Sequence, residues 1–300
     1  MQPRFGYFYT RERLQIRWGC WPAAQSRSRG SIVYLSGRAE FMEKNTDVFE
    51  RLTRAGFDVY TFDWRGQGLS ERMLANPHKG YVQSFADYLE DLRLFMDRVF
   101  LLEAACFRVL IGHSMGGHIG LRYLHDHGSN VDRAVMVSPM FDINTYPLPR
   151  RFVARMSRAL VRAGFGKRYV PGAGDCRIAS RKFEGNQLTN DPERFMHEIR
   201  EIQKNSDLAL GGVTYQWLAA ACDSIDTIHA AGYPEAVANP VLLVSGACER
   251  IVSRRAHLRI CRRLPDCRFV VIKGAKHEIL KETDVLQQQF WQAFDRFVAM

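Results

Sequence analysis

The sequence of 300 residues has no long uninterrupted apolar segment. A helix that crosses a bilayer needs about 20 consecutive, mainly apolar residues, and no run approaches that length. Residues 1–7 also lack the apolar stretch of a secretory signal peptide. We therefore expect neither a membrane-spanning helix nor a signal peptide.

Cysteine is used in a way that does not suggest a disulfide framework. There are seven cysteines, an odd number, and no two of them form a Cys-x-x-Cys pair. Several lie in apolar segments, where a reduced, buried thiol is the usual state. This usage predicts a cytoplasmic protein. The sequence also offers no convincing metal site.

Acidic residues are nearly absent from one part of a chain whose composition is otherwise ordinary. The sequence is 46% hydrophobic and 25% charged, which is typical of a globular protein with one large domain, with or without an insertion. The net charge is +10, and residues 145–183 hold ten basic side chains but a single acid, Asp175. The positive charge is therefore concentrated in one segment.

Strand and helix patterns alternate along most of the chain. The apolar runs that predict strands are 32–35, 57–62, 107–111, 134–137, 241–244 and 269–272. Most are continuously apolar, as in a parallel sheet that is covered on both faces. The segments with helical spacing are 47–55, 84–103, 116–125, 253–264 and 283–298. This alternation predicts a doubly wound, mostly parallel α/β sheet with helices on both faces, and strands at 5–10 and 14–18 are expected to form an antiparallel edge.

The alternation is interrupted between residues 139 and 240. Helical patterns and turns rich in glycine and proline fill this interval. An insertion at this point would lie over the carboxyl ends of the strands, where open α/β sheets bind ligands. We interpret residues 142–212 as an inserted helical cap on a core formed by residues 1–141 and 213–300.

Gly112, Ser114 and Gly116 form a Gly-x-Ser-x-Gly motif between an apolar run and a helical pattern. Strand, motif and helix in this order are typical of the nucleophile elbow of an α/β-hydrolase fold. The serine of an elbow occupies a sharp, strained turn, and the two glycines avoid clashes there. We predict this fold, with Ser114 as nucleophile. The alternative is a turn that only packs the strand against the helix.

A nucleophilic serine needs a histidine as base and an acid that orients the histidine. In this fold the acid and the histidine follow the serine in that order, each just beyond a late strand. Glu249 and His277 occupy the two expected loops. The alternatives are a surface ion pair of Glu249 with Arg250, and a surface histidine. Other acids lie before a strand or beside the histidine: Asp223, Asp226, Asp266 and Glu278.

The oxyanion of a tetrahedral intermediate needs backbone N–H donors. The N–H of Met115, the residue after the nucleophile, is one candidate. The N–H of Arg38, in the loop after the first central strand, is the second, and Gly37 would let that loop turn inward. The alternative for this loop is an ordinary strand-to-helix turn.

Four motifs together carry a resemblance to a known family. They are Ser-Gly-Arg-Ala-Glu at 36–40, Asp-Trp-Arg-Gly-Gln-Gly-Leu-Ser at 63–70, Gly-His-Ser-Met-Gly at 112–116 and Gly-Ala-Lys-His-Glu at 274–278. Across residues 5–140 and 215–299 the chain resembles the bacterial lysophospholipase and monoacylglycerol lipase family of α/β-hydrolases. Two positions depart from the usual pattern, because Ser36 replaces a histidine and Glu249 replaces an aspartate. Both departures resemble the lysophospholipase branch.

The resemblance implies hydrolysis of an ester that carries one fatty acyl chain, above all a lysophospholipid. Monoacylglycerol lipase and general carboxylesterase are the alternatives within enzymes. A binding protein that keeps the fold without catalysis is the alternative from another class. The implied reaction needs no cofactor and no metal. In this family the turn that holds Asp63 and Arg65 is chiefly architectural, so neither residue is expected to be catalytic.

The basic segment contains arginines at helical spacing. Arg151, Arg155, Arg158 and Arg162 would share one helical face, with apolar residues on the other. Such a helix is suited to an anionic membrane surface, which would place the protein at the inner membrane face. The alternative is a cap helix with its arginines in water. No nucleic-acid partner is expected because the segment lacks interleaved aromatic residues, and no obligate protein partner is inferred.

Overall fold

An eight-stranded, mostly parallel sheet forms the centre of the structure, a computed structural model that describes residues 2–299. The strands are β1 (Arg4–Tyr9), β2 (Gln15–Trp21), β3 (Gly30–Leu35), β4 (Phe57–Phe62), β5 (Arg108–His113), β6 (Arg133–Val137), β7 (Val241–Gly246) and β8 (Cys267–Ile272). Their spatial order is β1-β2-β4-β3-β5-β6-β7-β8. β2 pairs antiparallel with β1 and β4, and the other pairs are parallel. The predicted α/β-hydrolase fold class is confirmed.

Helices connect the parallel strands. They are α1 (Thr46–Arg54), α2 (Phe85–Phe95), α3 (Leu101–Glu103), α4 (Met115–His127), α5 (Arg150–Leu160), α6 (Pro192–Lys204), α7 (Tyr215–His229), α8 (Arg254–Cys261) and α9 (Asp284–Val298). Ser84 begins α2 with a capping box, since its hydroxyl accepts the Ala86 N–H and its own N–H donates to the Asp87 carboxylate. The single helix expected at 84–103 is divided, because a π-helical turn at Met96–Phe100 separates α2 from α3.

The central strands are buried on both faces, which explains their continuous apolar sequences. Along β5, Leu110 packs on one face of the sheet with Ile119 of α4. Val109 and Ile111 point to the opposite face and share a cluster with Phe290 of α9. Two hydrophobic layers therefore fix the sheet between its helices, and the loops at the carboxyl ends of the strands stand on a rigid base.

The segment between β6 and β7 carries α5, α6 and α7. α7 is attached to the core, because Trp217, Ala221 and Ile228 lie in the same hydrophobic cluster as the strand residue Leu110. α5 lies against α7 and is joined to it by ion pairs. Within residues 2–299, every helix is too short or too polar to cross a membrane.

Two cysteines depart from the expected reduced state. Cys261, the last residue of α8, forms a disulfide with Cys267, the first residue of β8. The prediction of reduced thiols is wrong for this pair, because the short loop from α8 to β8 brings the two Cα atoms to 5.4 Å, within the range that a disulfide spans. The other cysteines are free: Cys20, Cys106, Cys176, Cys222 and Cys248.

A buried histidine of α8 makes the stability of the fold depend on pH. His257 is fully buried between the Ser245 hydroxyl, 3.0 Å from Nδ1, and the Pro139 carbonyl, 2.6 Å from Nε2. Burial lowers the pKa of His257 to about 4. Below the ordinary value of about 6.5, the unfolded chain therefore binds a proton that the folded chain does not bind. The free energy of unfolding should fall as the pH drops from about 6.5 towards 4.

We expect His257 to contribute a slope of up to about 1.4 kcal/mol per pH unit in that window. The measurement is the urea midpoint at several pH values for the wild type and for His257→Gln, whose amide can still donate to the Pro139 carbonyl. The variant should be less stable at pH 7 but should lose less stability on acidification. An equal acid slope in both proteins would contradict the assignment.

Candidate active site

Ser114 lies in a strained turn between β5 and α4. Its backbone has φ 50° and ψ −113°, in a region that residues other than glycine rarely adopt. Neighbouring segments hold this conformation. The Ser114 N–H donates to the Val137 carbonyl at 3.0 Å, and the Ser114 carbonyl accepts from Met140 at 2.9 Å and from His118 at 3.1 Å. The turn therefore presents the Ser114 hydroxyl at the carboxyl edge of the sheet in a fixed direction.

The glycines of the motif permit close backbone contacts around this turn. A Cβ atom on Gly116 would lie 2.6 Å from the Ser36 carbonyl oxygen and still closer to that of Leu35. A Cβ atom on Gly112 would lie 2.6 Å from the Cα of Gly117. Real Cβ atoms essentially never come this close to such atoms. Both glycines are thus required for the approach of α4 to β3 and β5.

The structure brings Ser114, His277 and Glu249 into one hydrogen-bonded chain. His277 Nε2 lies 3.0 Å from Ser114 Oγ, and His277 Nδ1 lies 2.7 Å from Glu249 Oε2. The other carboxylate oxygen of Glu249 accepts the N–H groups of Ile251 at 2.7 Å and Val252 at 3.1 Å. The acid is therefore held by its own loop, and it orients the imidazole toward the serine.

The surroundings of Glu249 favour its charged form. The Glu249 side chain is fully buried, and burial by itself raises the pKa of a carboxyl group. The hydrogen bond and the electrostatic interaction with His277, together with the two backbone donors, outweigh burial, so that the pKa of Glu249 lies below its ordinary value. An ionised acid at this position stabilises the imidazolium that forms when His277 takes a proton.

The other acids considered from the sequence do not face the imidazole of His277. Glu278 pairs with Lys44 at 2.6 Å. Asp223 and Asp226 are held by Arg158 at 2.6 and 2.8 Å. Asp266 lies just before β8, at the amino end of that strand, where its carbonyl accepts from Val241 at the start of β7.

The two predicted oxyanion donors have free N–H groups near Ser114. Met115 is the first residue of α4, and the first N–H groups of a helix have no partner within the helix. The Arg38 N–H has no acceptor within residues 2–299. Its loop is held on both sides, since Gly37 N–H donates to Glu40 at 2.8 Å and Ala39 N–H donates to Gln67 at 2.5 Å. The arrangement can receive a negatively charged oxygen.

A cluster of charged side chains beside Ser114 and His277 was not predicted from the sequence. Lys44 Nζ contacts carboxylates of Glu278 at 2.6 Å, Glu198 at 2.8 Å and Glu40 at 3.8 Å. Glu40 also pairs with His113 at 2.8 Å. Burial lowers the pKa of Lys44, but the carboxylates outweigh it and hold that pKa above its ordinary value. Glu40, His113 and Glu278 lie inside the quoted motifs, so the motifs themselves were a signal for this cluster.

Asp63 and Arg65 serve the architecture, as the resemblance implied. Asp63 accepts the N–H groups of Met42 at 3.1 Å and Leu69 at 3.0 Å. Arg65 makes two hydrogen bonds of 2.6 Å to Asp91. These bonds tie the turn to neighbouring segments, and neither side chain lines the cavity described next.

A cavity of about 970 Å³ opens next to Ser114 and His277. Its apolar lining comes from the segment between β6 and β7 and from the loop after β7: Met140, Ile143, Leu188, Ile202, Leu210, Val213, Trp217, Leu218, Ile251 and Val252. Charged side chains also line it: Arg38, Glu40, Lys44, Asp175, Arg177, Arg181, Glu198 and Glu278. The volume and the mixed lining suit a ligand with an apolar chain and a polar end. Among the described residues, no group of three or more His, Cys, Asp or Glu side chains is arranged to hold a metal ion.

The predicted arginine face of the insertion is not uniform. Arg151, Arg155 and Arg162 are exposed and make no ion pair within the described part of the chain. Arg158 differs, because it is held by two carboxylates of α7. The expectation that Arg158 presents a free charge is therefore wrong. The reason is that α5 packs against an acidic edge of α7, which the local sequence does not show.

The fold and the site together define the class of the protein, an α/β-hydrolase with a serine at its nucleophile elbow. Residues 26–284 match the family model described as serine aminopeptidase, S33, and the chain belongs to this family. The resemblance to the lysophospholipase and monoacylglycerol lipase family is confirmed by relatives that cover most of the chain.

The chain is 30% identical over 278 residues to the probable lysophospholipase L2 of Haemophilus influenzae, which covers 91% of this chain and 85% of that protein. It is 33% identical over 265 residues to lysophospholipase L2 of Escherichia coli strain K12, and the match covers 85% of this chain and 76% of that protein. Among solved structures, a soluble variant of the monoglyceride lipase of Saccharomyces cerevisiae superimposes with a TM-score of 0.78. The superposition covers 100% of this chain and 96% of that chain. Because the sequence identity is 16%, this similarity shows the fold alone.

We expect Gly116→Ala to destabilise the protein by at least about 2 kcal/mol, because its methyl group would meet backbone carbonyl oxygens that cannot move without displacing β3. The measurement is the free energy of unfolding in urea. Gly174→Ala is the matched control, since a Cβ atom there meets nothing within 4 Å and the backbone φ is not positive. It should remain within about 0.5 kcal/mol of the wild type. Equal stability of the two variants would contradict the packing argument.

Proposed function

We propose that the protein hydrolyses the ester of a single-chain lipid, above all a lysophospholipid, and releases its fatty acid through a covalent acyl-enzyme. The observation that carries the proposal is the hydrogen-bonded chain from Glu249 through His277 to Ser114, which opens into a cavity with apolar and charged walls. The lysophospholipases among the relatives support the choice of substrate.

In the first half of the reaction, Ser114 Oγ attacks the acyl carbonyl carbon while His277 Nε2 takes the hydroxyl proton. Glu249 keeps the other imidazole nitrogen protonated and stabilises the imidazolium. The carbon–oxygen bond to the alcohol then breaks, and His277 gives its proton to the leaving oxygen. In the second half, water loses a proton to His277 and attacks the acyl-enzyme, so that the fatty acid leaves and Ser114 regains its proton.

The N–H groups of Met115 and Arg38 would stabilise the oxyanion in both halves. Each is a backbone donor without another acceptor in the described chain or within its helix, so neither has to give up a hydrogen bond when the intermediate forms. Donors that are already oriented need no reorganisation in the transition state. The hydrogen bonds from Gly37 and Ala39 to side chains of neighbouring segments support this orientation.

Residues 142–212 would act as the cap over the core of residues 1–141 and 213–300. Support comes from the cavity, since Leu188, Ile202 and Leu210 line it together with Met140 and Val252 of the core. The lysophospholipid, the monoacylglycerol and the simple carboxylic ester differ in the alcohol that leaves. The cap and the charged side chains that line the cavity would select among these substrates.

A non-catalytic binding protein needs no base that is oriented toward a serine. The hydrogen bonds of His277 to Ser114 and Glu249 therefore favour an enzyme over a binding protein.

Part of the insertion would contact an anionic membrane surface, such as the inner face of the membrane. Three exposed cations of the α5 region support this: Arg151, Arg155 and Arg162. Beside them, Tyr146, Leu148 and Phe152 expose 88%, 44% and 52% of their surface. Exposed apolar side chains next to unpaired arginines are typical of interfacial helices. The same segment begins close to Ile143 at the cavity, so contact would bring the cavity near the lipid.

The catalytic proposal is tested first by labelling with a fluorophosphonate probe and by hydrolysis of lysophosphatidylcholine. We expect the wild type to be labelled and active. Ser114→Ala and His277→Ala should lose both properties. Glu249→Gln should reduce kcat by about 100- to 10,000-fold, because the amide does not hold the imidazole in the required tautomer.

Folded variants are confirmed by circular dichroism before activity is compared. A folded wild type that is neither labelled nor active would overturn the proposal and favour the binding protein. Labelling without sustained turnover would have the same consequence.

The membrane proposal predicts that Arg151→Gln, Arg155→Gln and Arg162→Gln together weaken binding to vesicles of phosphatidylglycerol, with a loss of about 1 kcal/mol for each charge. The measurement is co-sedimentation with vesicles at low and physiological salt. Arg158→Gln is the matched control, because its guanidinium is already held by two carboxylates. Equal binding by the triple variant and the wild type would contradict the proposal.

A further inference from the structure

Arg38 contributes an unusual side chain to the cavity next to Ser114. Within residues 2–299 it makes no ion pair, and its one hydrogen bond is donated to the backbone carbonyl of Gly211. Its Nε is buried and has no hydrogen-bond partner among the described residues. The guanidinium also lies over the ring of Trp217, 5.6 Å from the ring centroid. Arg38 is therefore a largely buried cation without a carboxylate partner in the part of the chain that the structure describes.

A buried charge that lacks a counter-ion is costly, and proteins normally pair it. Burial lowers the pKa of Arg38 to about 10, and no carboxylate compensates. Three other cations line the cavity. Arg177 is exposed to solvent, whereas Lys44 and Arg181 are less exposed and each is paired with a carboxylate. Lys44 contacts carboxylates of Glu40, Glu198 and Glu278, and Arg181 pairs with Glu198. The contrast indicates that the Arg38 guanidinium is kept free for an anionic group of a ligand.

The chemistry of the guanidinium narrows the class of anion. Its planar donors match two oxygens of a phosphate or a carboxylate at once. In a lysophospholipid, the phosphodiester is separated from the acyl carbonyl by the glycerol unit alone, a span similar to that of an extended arginine side chain. One residue could thus meet the oxyanion with its backbone N–H and the phosphate with its side chain.

The position of the side chain is well defined. The Arg38 loop is fixed by the hydrogen bonds of Gly37 and Ala39 described above. Beyond it, the guanidinium is confined by the backbone of Gly80, where a Cβ atom would lie 2.7 Å from the Arg38 terminal nitrogen. A cation that is held by its surroundings loses little freedom on binding an anion, so recognition by Arg38 is specific in position as well as in charge.

We propose that the Arg38 side chain binds the phosphodiester of the substrate and determines the preference for a lysophospholipid over a monoacylglycerol. This inference rests on the proposed ester hydrolysis and adds a specificity-determining residue to it. The same guanidinium chemistry would accept the carboxylate of the fatty acid product, and the experiment separates the two sources.

The experiment compares kcat/KM for two substrates with the same short acyl chain, a lysophosphatidylcholine and a monoacylglycerol, both below the concentration at which they aggregate. The variant is Arg38→Met, which keeps the backbone N–H and a flexible apolar stem. We expect the ratio of the two kcat/KM values to shift by about 10- to 100-fold toward the monoacylglycerol, mainly through a higher KM for the phosphate ester. Arg38→Lys should restore part of the ratio.

Arg54→Met is the matched control, because it removes the same charge from an exposed position of α1 that does not line the cavity. It should leave both the activity and the ratio unchanged. A ratio that Arg38→Met does not alter would overturn the proposal, whether the two activities fall together or not at all.

A second measurement separates failure of this inference from failure of the proposed function. Binding of lysophosphatidylcholine and of the fatty acid is measured with Ser114→Ala, which cannot turn over, alone and combined with Arg38→Met. Arg38→Met should weaken binding of the phosphate ester by at least about 10-fold. If Arg38→Met weakens binding of the fatty acid but not of lysophosphatidylcholine, the phosphate assignment is overturned and Arg38 recognises the product instead. A wild type without activity would contradict the proposed hydrolysis, while this comparison would still test the anion site.

Discussion

The close approach of α4 to the carboxyl ends of β3 and β5 is the constraint on which the rest of the site depends. Gly112 and Gly116 permit this approach, and the resulting turn forces Ser114 into a backbone conformation that has to be held by its neighbours. β6 and the segment after it supply the hydrogen bonds that hold it. The position of the hydroxyl is thus a property of the whole sheet edge.

A cluster of buried charges lies at this edge and connects its loops with α6. Lys44 joins Glu40 of the loop after β3, Glu278 beside His277 and Glu198 of α6. Buried ion pairs contribute little net stability because their desolvation is costly, but breaking one leaves an uncompensated charge. The arrangement therefore favours one relative position of the loops and α6. The guanidinium of Arg38 differs from this cluster, because it makes no ion pair within the described chain and so remains available to an anionic ligand.

The parts of the site that local patterns predicted are those that follow from strand order. Ser114, Glu249 and His277 each lie in the turn or loop that follows a strand of a parallel sheet, and such positions meet at one edge. The structure places these side chains within hydrogen-bond distance. The pairing of Arg158 with Asp223 and Asp226 and the Cys261–Cys267 disulfide were not predicted, since each depends on how a helix docks or a loop closes.

The sequence by itself determined the fold class, the antiparallel edge and the order of serine, acid and histidine, because hydrophobic periodicity and glycine spacing act over short stretches of chain. Tertiary structure alone decided which charges are paired. Glu198 is more than a hundred residues from Lys44 along the chain and contacts it at 2.8 Å, whereas Arg38 meets no acid at all within the described chain. Charge compensation depends on the distance between the charges and on their burial, and the local sequence specifies neither.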